Sequence, residues 1–97
     1  MAAGVAHGEL LALHLGRLAD AGRLAPAQIS IGKRENVRMA RDVARTARGV
    51  LGAEGITDAQ PVMRHLANLE AVATYEGTDE VHTLILGHAL TGIRAFA

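Results

Sequence analysis

Apolar residues recur along this chain at three- and four-residue spacing, broken only by short Gly, Pro or Asp punctuation, and the pattern predicts four helices. The first covers Ala2 to Ala21. Val5, Leu10, Leu11, Leu13, Leu15 and Leu18 give it a broad apolar face before Gly22 stops it. After Ala25 and Pro26 a second helix runs to about Leu51, with Val37, Ala40, Ala44, Ala47 and Leu51 as an inward seam and Gly52 and Gly55 closing it. A third begins near Pro61, a residue suited to a first helical position, and carries Val62, Leu66, Leu69 and Val72 to a turn at Tyr75. The fourth starts after Thr78 and continues to the C-terminus at Ala97. Thr78 is placed to cap it, Asp79 and Glu80 put negative charge in its first turn, and Val81, Ile85, Ala89, Gly92 and Phe96 are its expected inward residues. Short loops between four helices predict antiparallel neighbours, so the expected fold is an all-α, up-and-down four-helix bundle.

Composition supports that class. The chain is 49% hydrophobic, yet it has one Phe, one Tyr and no Trp, so its interior must be built from Ala, Leu, Val and Ile in close-packed helices. Ninety-seven residues suit a single domain of marginal stability. Ten Lys and Arg balance ten Asp and Glu, which argues against a nucleic-acid partner and favours self-association. The absence of Cys removes disulfides, thiolate metal sites and Cys nucleophiles, and fits a cytoplasmic location. Glu9, His7, His14 and Arg17 interrupt the opening segment, so it reads as neither a membrane span nor a signal peptide.

The candidate chemistry centres on Tyr75, Glu76, Gly77 and Thr78, between the third and fourth helices. A general base acting on a carbon acid needs a carboxylate that is held in place, shielded from bulk water and free of a permanent cationic partner. This turn can offer that, because Gly77 lets the backbone take positive φ or approach a ligand, and the next helix start is friendly to anions. From these four residues alone the plainer account prevails: Glu76 is an exposed loop acid beside a turn glycine. Arg34, Arg38, Arg41, Arg45 and Arg48 form a basic stripe, read as a solvated face partly neutralised by Glu35 and Asp42 in preference to a CoA- or phosphate-binding one. The five His residues form no His-x-x-x-His pair, so no metal site is expected, and His82 reads as a surface or interface residue. No nucleophile elbow or Gly-rich phosphate loop occurs, which removes support for hydrolase and nucleotide-triphosphatase readings.

The surroundings of the turn change its reading. Asn68 to Ala97, with Leu84, Ile85, Leu86 and Gly87 and then Thr91, Gly92, Ile93, Ala95 and Phe96, resembles the C-terminal end of acyl-CoA dehydrogenases, in particular the glutaryl-CoA dehydrogenase branch. The similarity extends more loosely to Leu15, Gly16, Arg17 and Leu18. It implies that residues 1–97 are the C-terminal helical domain of such an enzyme, without the N-terminal helical and middle β-domains, and inactive alone. By the same resemblance Glu76 is the base that removes the α-proton of an acyl-CoA, Gly77 lies against the thioester, and Thr78, Asp79 and Glu80 lie near FAD. Two adjacent acids sit awkwardly beside a phosphate-bearing cofactor. Gly49, Val50, Leu51, Gly52 and Ala53 look like the stretch that meets the FAD of a neighbouring subunit, and Phe96 matches a flavin-contacting aromatic. Implied partners are electron-transfer flavoprotein and further copies in a tetramer-like assembly. The chain departs from its relatives at Gly52, Ala53, Glu54 and Gly55, where Gly-Gly-Asn-Gly is usual, which raises the question of whether Ala53 needs positive φ; His88 stands where Arg is more usual. The competing expectation is a non-catalytic helical oligomerisation module derived from the same family.

Overall fold

The computed structural model describes residues 1–96, and these form four α-helices with no strand among them. Helix α1 spans Ala2–Asp20, α2 Pro26–Val50, α3 Val62–Thr74 and α4 Asp79–Thr91, and a short 3-10 turn at Gly52–Ile56 follows α2. Local chemistry sets these boundaries. Helix α1 ends where Gly22 takes φ +66° and the Arg23 N–H reaches back to Leu18 O at 2.8 Å. Pro26 opens α2, with the Gln28 side chain accepting from the Ala25 N–H at 2.7 Å. Thr78 caps α4 by accepting from the Val81 N–H at 3.2 Å.

The far end of α4 differs from the sequence expectation. Ala97 lies outside the described residues, but within them α4 stops at Thr91, because Gly92 turns left-handed at φ +73° and the Thr91 hydroxyl accepts the Ile93 N–H. The expected extension through Phe96 as helix is therefore corrected.

Helix α2 is the hub against which α1, α3 and α4 each pack. The resulting body measures 47 × 32 × 18 Å. Its short dimension is less than two helix diameters of about 10 Å each. The radius of gyration, 15.9 Å, exceeds the value of about 12.5 Å expected for a compact domain of this length. Such a thin body has little interior: Ala44 and Val62 are its buried hydrophobic residues, while Leu90 is 86% and Phe96 73% exposed. Among the described residues no helix is long and apolar enough to cross a membrane.

Helix α4 also turns a different face inward than its apolar residues predict. Val81, Ile85, Ala89, Gly92 and Phe96 are exposed, whereas His82 is buried. Polar partners on α2 decide the orientation. Arg38 donates two hydrogen bonds to the Asp79 carboxylate at 2.6 and 2.5 Å, the Arg34 Nε–H donates to Thr83 Oγ1 at 2.9 Å, and His82 meets Ser30. The Arg stripe is thus only partly solvated. Arg34 does pair with Glu35 as expected, but Arg38 is tied to α4 and Arg41 to Glu70 of α3 by two bonds of 3.1 Å. Spacing on α2 could not show that the neutralising acids lie on other helices.

Hydrogen bonding to Arg38 holds the Asp79 carboxyl below its ordinary value, opposed by desolvation and aided by the Arg38 charge. A lowered folded-state value means that the ion pair stabilises the fold above the unfolded-state pKa, near pH 4, and that this contribution fades as pH falls through the lower folded value. The Tm gap between wild type and Asp79→Asn is therefore expected to persist from pH 7 to about pH 5 and to close below about pH 4. A gap that stays constant down to pH 2 in thermal unfolding would contradict the pairing.

Candidate active site

Between α3 and α4 the chain makes an abrupt turn in which Tyr75 is extended, Glu76 has φ +55°, Gly77 has φ +91° and Thr78 is extended again. Glu76 is the one non-glycine residue with positive φ among the described residues. An L-residue held there costs about 1 kcal/mol or more, so its surroundings must impose the conformation.

The imposing groups come from α2 and α4. The Lys33 ammonium donates to the carbonyls of both Tyr75 and Gly77, and lies 5.6 Å from the centroid of the Tyr75 ring. His82 Nε2 lies 3.2 Å from the carbonyl of Glu76, and its Nδ1 lies 3.0 Å from Ser30 Oγ. A carbonyl only accepts, so Nε2 carries hydrogen, and a neutral imidazole then accepts the Ser30 hydroxyl at Nδ1. Ser30 and His82 are 4% and 8% exposed, so this relay is sealed from water. Three successive carbonyls are therefore held, the outer two by Lys33 of α2 and the central one by His82 of α4, itself backed by Ser30 of α2.

In a trans peptide the N–H points opposite to the C=O. No peptide bond here is cis, so the N–H groups of Glu76, Gly77 and Thr78 face away from Lys33 and His82. None of the three donates a hydrogen bond among the described residues. The turn thus offers a short row of amide donors beside the Glu76 side chain.

That side chain is exposed, and its carboxylate makes no hydrogen bond or ion pair among the described residues. Two expected properties of a base are met, a fixed backbone and no cationic partner, since Lys33 is committed to carbonyls. The expected shielding from water is not met within this chain, because the thin body provides a wall on the α2 side only.

The other candidate residues fall into three groups, of which the one at the end of α2 lies far from the turn. Gly77 sits over the His82 ring, where an added Cβ would lie 2.8 Å from Nε2. Thr78 is the α4 cap, Asp79 is turned to Arg38, and Glu80 is exposed and has no partner among the described residues. Gly49 and Val50 end α2, and Leu51, Gly52 and Ala53 follow; all five are exposed. Seventeen helical positions separate Val50 from Lys33, roughly 25 Å at 1.5 Å per residue. Gly52 takes the positive φ at +59° and Ala53 does not, so the Ala substitution meets no backbone conflict. Phe96 folds back over α4 to line a cavity of about 410 Å³ with Val81, Leu84, Ile85, His88 and Arg94. His88 thereby gains a place the sequence did not give it.

His82 is corrected from a surface or interface residue to a buried part of the turn's support. Lys33 and Ser30 went unrecognised in the sequence. Their signal was available: Ser30, Lys33 and Val37 share one face of α2, so two polar residues stand where an inward apolar seam continues.

Residues 1–91 match the family described as acyl-CoA dehydrogenase, C-terminal domain. Among solved structures, the chain is similar to a glutaryl-CoA dehydrogenase from Mycobacterium smegmatis with 68% identity and a TM-score of 0.87, over 91% of this chain and 23% of that one. It is also similar to a glutaryl-CoA dehydrogenase from the same organism in complex with FADH2, with 52% identity and a TM-score of 0.93, over 98% of this chain and 25% of that one. The chain belongs to the acyl-CoA dehydrogenase family. Within it the sequence is glutaryl-CoA dehydrogenase-like, and it spans about a quarter of the length of those two proteins.

Gly77→Ala meets both a left-handed backbone and the His82 ring, so it is expected to lower the unfolding free energy by about 1–3 kcal/mol in urea denaturation. Gly16→Ala, in open space on α1, is the control and is expected to be neutral or to gain up to about 1 kcal/mol. Equal stability of Gly77→Ala and wild type would contradict the turn geometry.

Proposed function

We propose that this chain is the C-terminal helical domain of an FAD-dependent, glutaryl-CoA dehydrogenase-like enzyme, and that Glu76 is the base that removes the α-proton of an acyl-CoA. The observation that carries the reading is the unpaired Glu76 carboxylate fixed on a strained turn next to three outward amide N–H groups. When the acyl thioester lies against this turn, a carboxylate oxygen of Glu76 takes the α-hydrogen as a proton. Charge that develops on the thioester oxygen then meets the amides of Glu76 and Gly77, which stabilise it without reorganising. FAD supplies the acceptor for the β-hydride.

The residues present are compatible with holding that cofactor. Thr78 keeps its O–H and N–H for an anionic oxygen, and the Asp79 carboxylate, awkward beside a phosphate, is turned away and bonded to Arg38. Thr78 and Glu80 would then border one cofactor, and Phe96 with its cavity would offer an apolar contact. Gly49, Val50, Leu51, Gly52 and Ala53, roughly 25 Å along α2, are too far to share that cofactor and would serve the one of a neighbouring copy. A tetramer-like assembly, reoxidation by electron-transfer flavoprotein and a cytoplasmic site of action complete the proposal.

The exposed apolar surface of α4 also favours a second reading, a family-derived module that assembles but does not catalyse. Anaerobic mixing of the assembled flavoenzyme with glutaryl-CoA separates the two. Wild type is expected to bleach the flavin absorbance, and Glu76→Gln to slow bleaching by at least about 100-fold while still binding the thioester. Bleaching by Glu76→Gln at the wild-type rate would overturn the assignment of the base; a colourless, stable oligomer would favour the module.

A further inference from the structure

We propose that Lys33 and His82 are positioning residues for proton abstraction, because together they force the Glu76 backbone into the left-handed region and turn three successive amide N–H groups toward the substrate side. The inference deepens the reading of Glu76 as the base and rests on it. Neither residue touches the space beside the Glu76 carboxylate; both act through the main chain.

Two physical effects converge on them. The first is geometric. Lys33 of α2 bridges the Tyr75 and Gly77 carbonyls and His82 of α4 holds the Glu76 carbonyl between them, so the outer peptides cannot rotate without breaking a charge-assisted bond, nor the central one without breaking its bond to His82. Ser30 in turn fixes the His82 ring from below at 3.0 Å, which ties the central carbonyl to the same helix that carries Lys33. The second is electronic. A hydrogen bond to a carbonyl polarises the N–H of the same peptide unit. Lys33 therefore strengthens the Glu76 and Thr78 amides as donors, and His82 the Gly77 amide. Proton transfer to Glu76 leaves the C–H electron pair on the substrate, where it spreads to the thioester oxygen, the atom those amides would face.

The test isolates proton transfer from hydride transfer. Acetyl-CoA has α-hydrogens but no β-carbon, so in D2O the assembled enzyme can only exchange its α-hydrogens, and mass spectrometry reads that rate. Lys33→Met is expected to slow exchange by about 100-fold, the cost of misplacing a reacting group by about 1 Å, with acetyl-CoA affinity changed less than about twofold. Lys33→Arg, which keeps the charge and donors, is expected to restore most of the rate. A merely structural role would instead lower the amount of active enzyme while leaving the rate constant per bound substrate intact. Exchange by Lys33→Met at the wild-type rate, with Glu76→Gln inactive, overturns this inference and leaves the base assignment standing; exchange by Glu76→Gln at the wild-type rate overturns both. Should Lys33→Met fail to fold, Ser30→Ala decides, with a several-fold loss expected and an unchanged rate overturning the proposal.

Discussion

The Lys33 ammonium beneath the turn joining α3 to α4 is the interaction on which the site depends. It draws the carbonyls of Tyr75 and Gly77 toward α2, and the buried Ser30–His82 pair does the same for the carbonyl between them. Everything else about the turn follows from peptide planarity. With the carbonyls pulled one way, the amides face the other way, and Glu76 takes a backbone conformation that it would not adopt unaided. The strain is stored at the one acid to which the family resemblance gives a chemical role.

The same choice explains why α4 sits as it does. Its polar strip, Asp79, His82 and Thr83, meets Arg38, Ser30 and Arg34 on α2, and its apolar strip is left outward. A helix that spends its inward face on hydrogen bonds holds the turn accurately but buries little hydrocarbon. The thin shape and the pair of buried apolar residues are the result. In the proposed role, such a body provides the floor of a site and the acid that works on it, and leaves the opposite side of Glu76 open. Glu76 is exposed here for that reason, and not for want of a fixed position.

Helix number and every boundary but the end of α4 were legible because Pro26, Gly22, Gly52 and Thr78 are strong local signals that act within a turn of helix. Glu76 and Gly77 stood out as a candidate site only through family resemblance, since four loop residues carry too little information alone. What could not be read was which face α4 buries. Periodicity ranks Val81 and Ile85 as inward and has no means of knowing that Ser30, fifty-two positions before His82, waits for that histidine. Lys33 was missed for a related reason. It bonds to main-chain oxygens, which every residue possesses, so no side-chain pattern announces it. The pairing of Arg38 with Asp79 was hidden in the same way, by partners distant in sequence and close in space.

A crystal structure of the assembled enzyme with a non-reactive acyl-CoA analogue tests the account most directly. In it a Glu76 carboxylate oxygen is expected within about 3.5 Å of the analogue's α-carbon, the thioester oxygen on the Glu76 and Gly77 amides, and Lys33 still bridging the Tyr75 and Gly77 carbonyls. A Glu76 side chain directed into bulk solvent, with the thioester bound away from this turn, would contradict it.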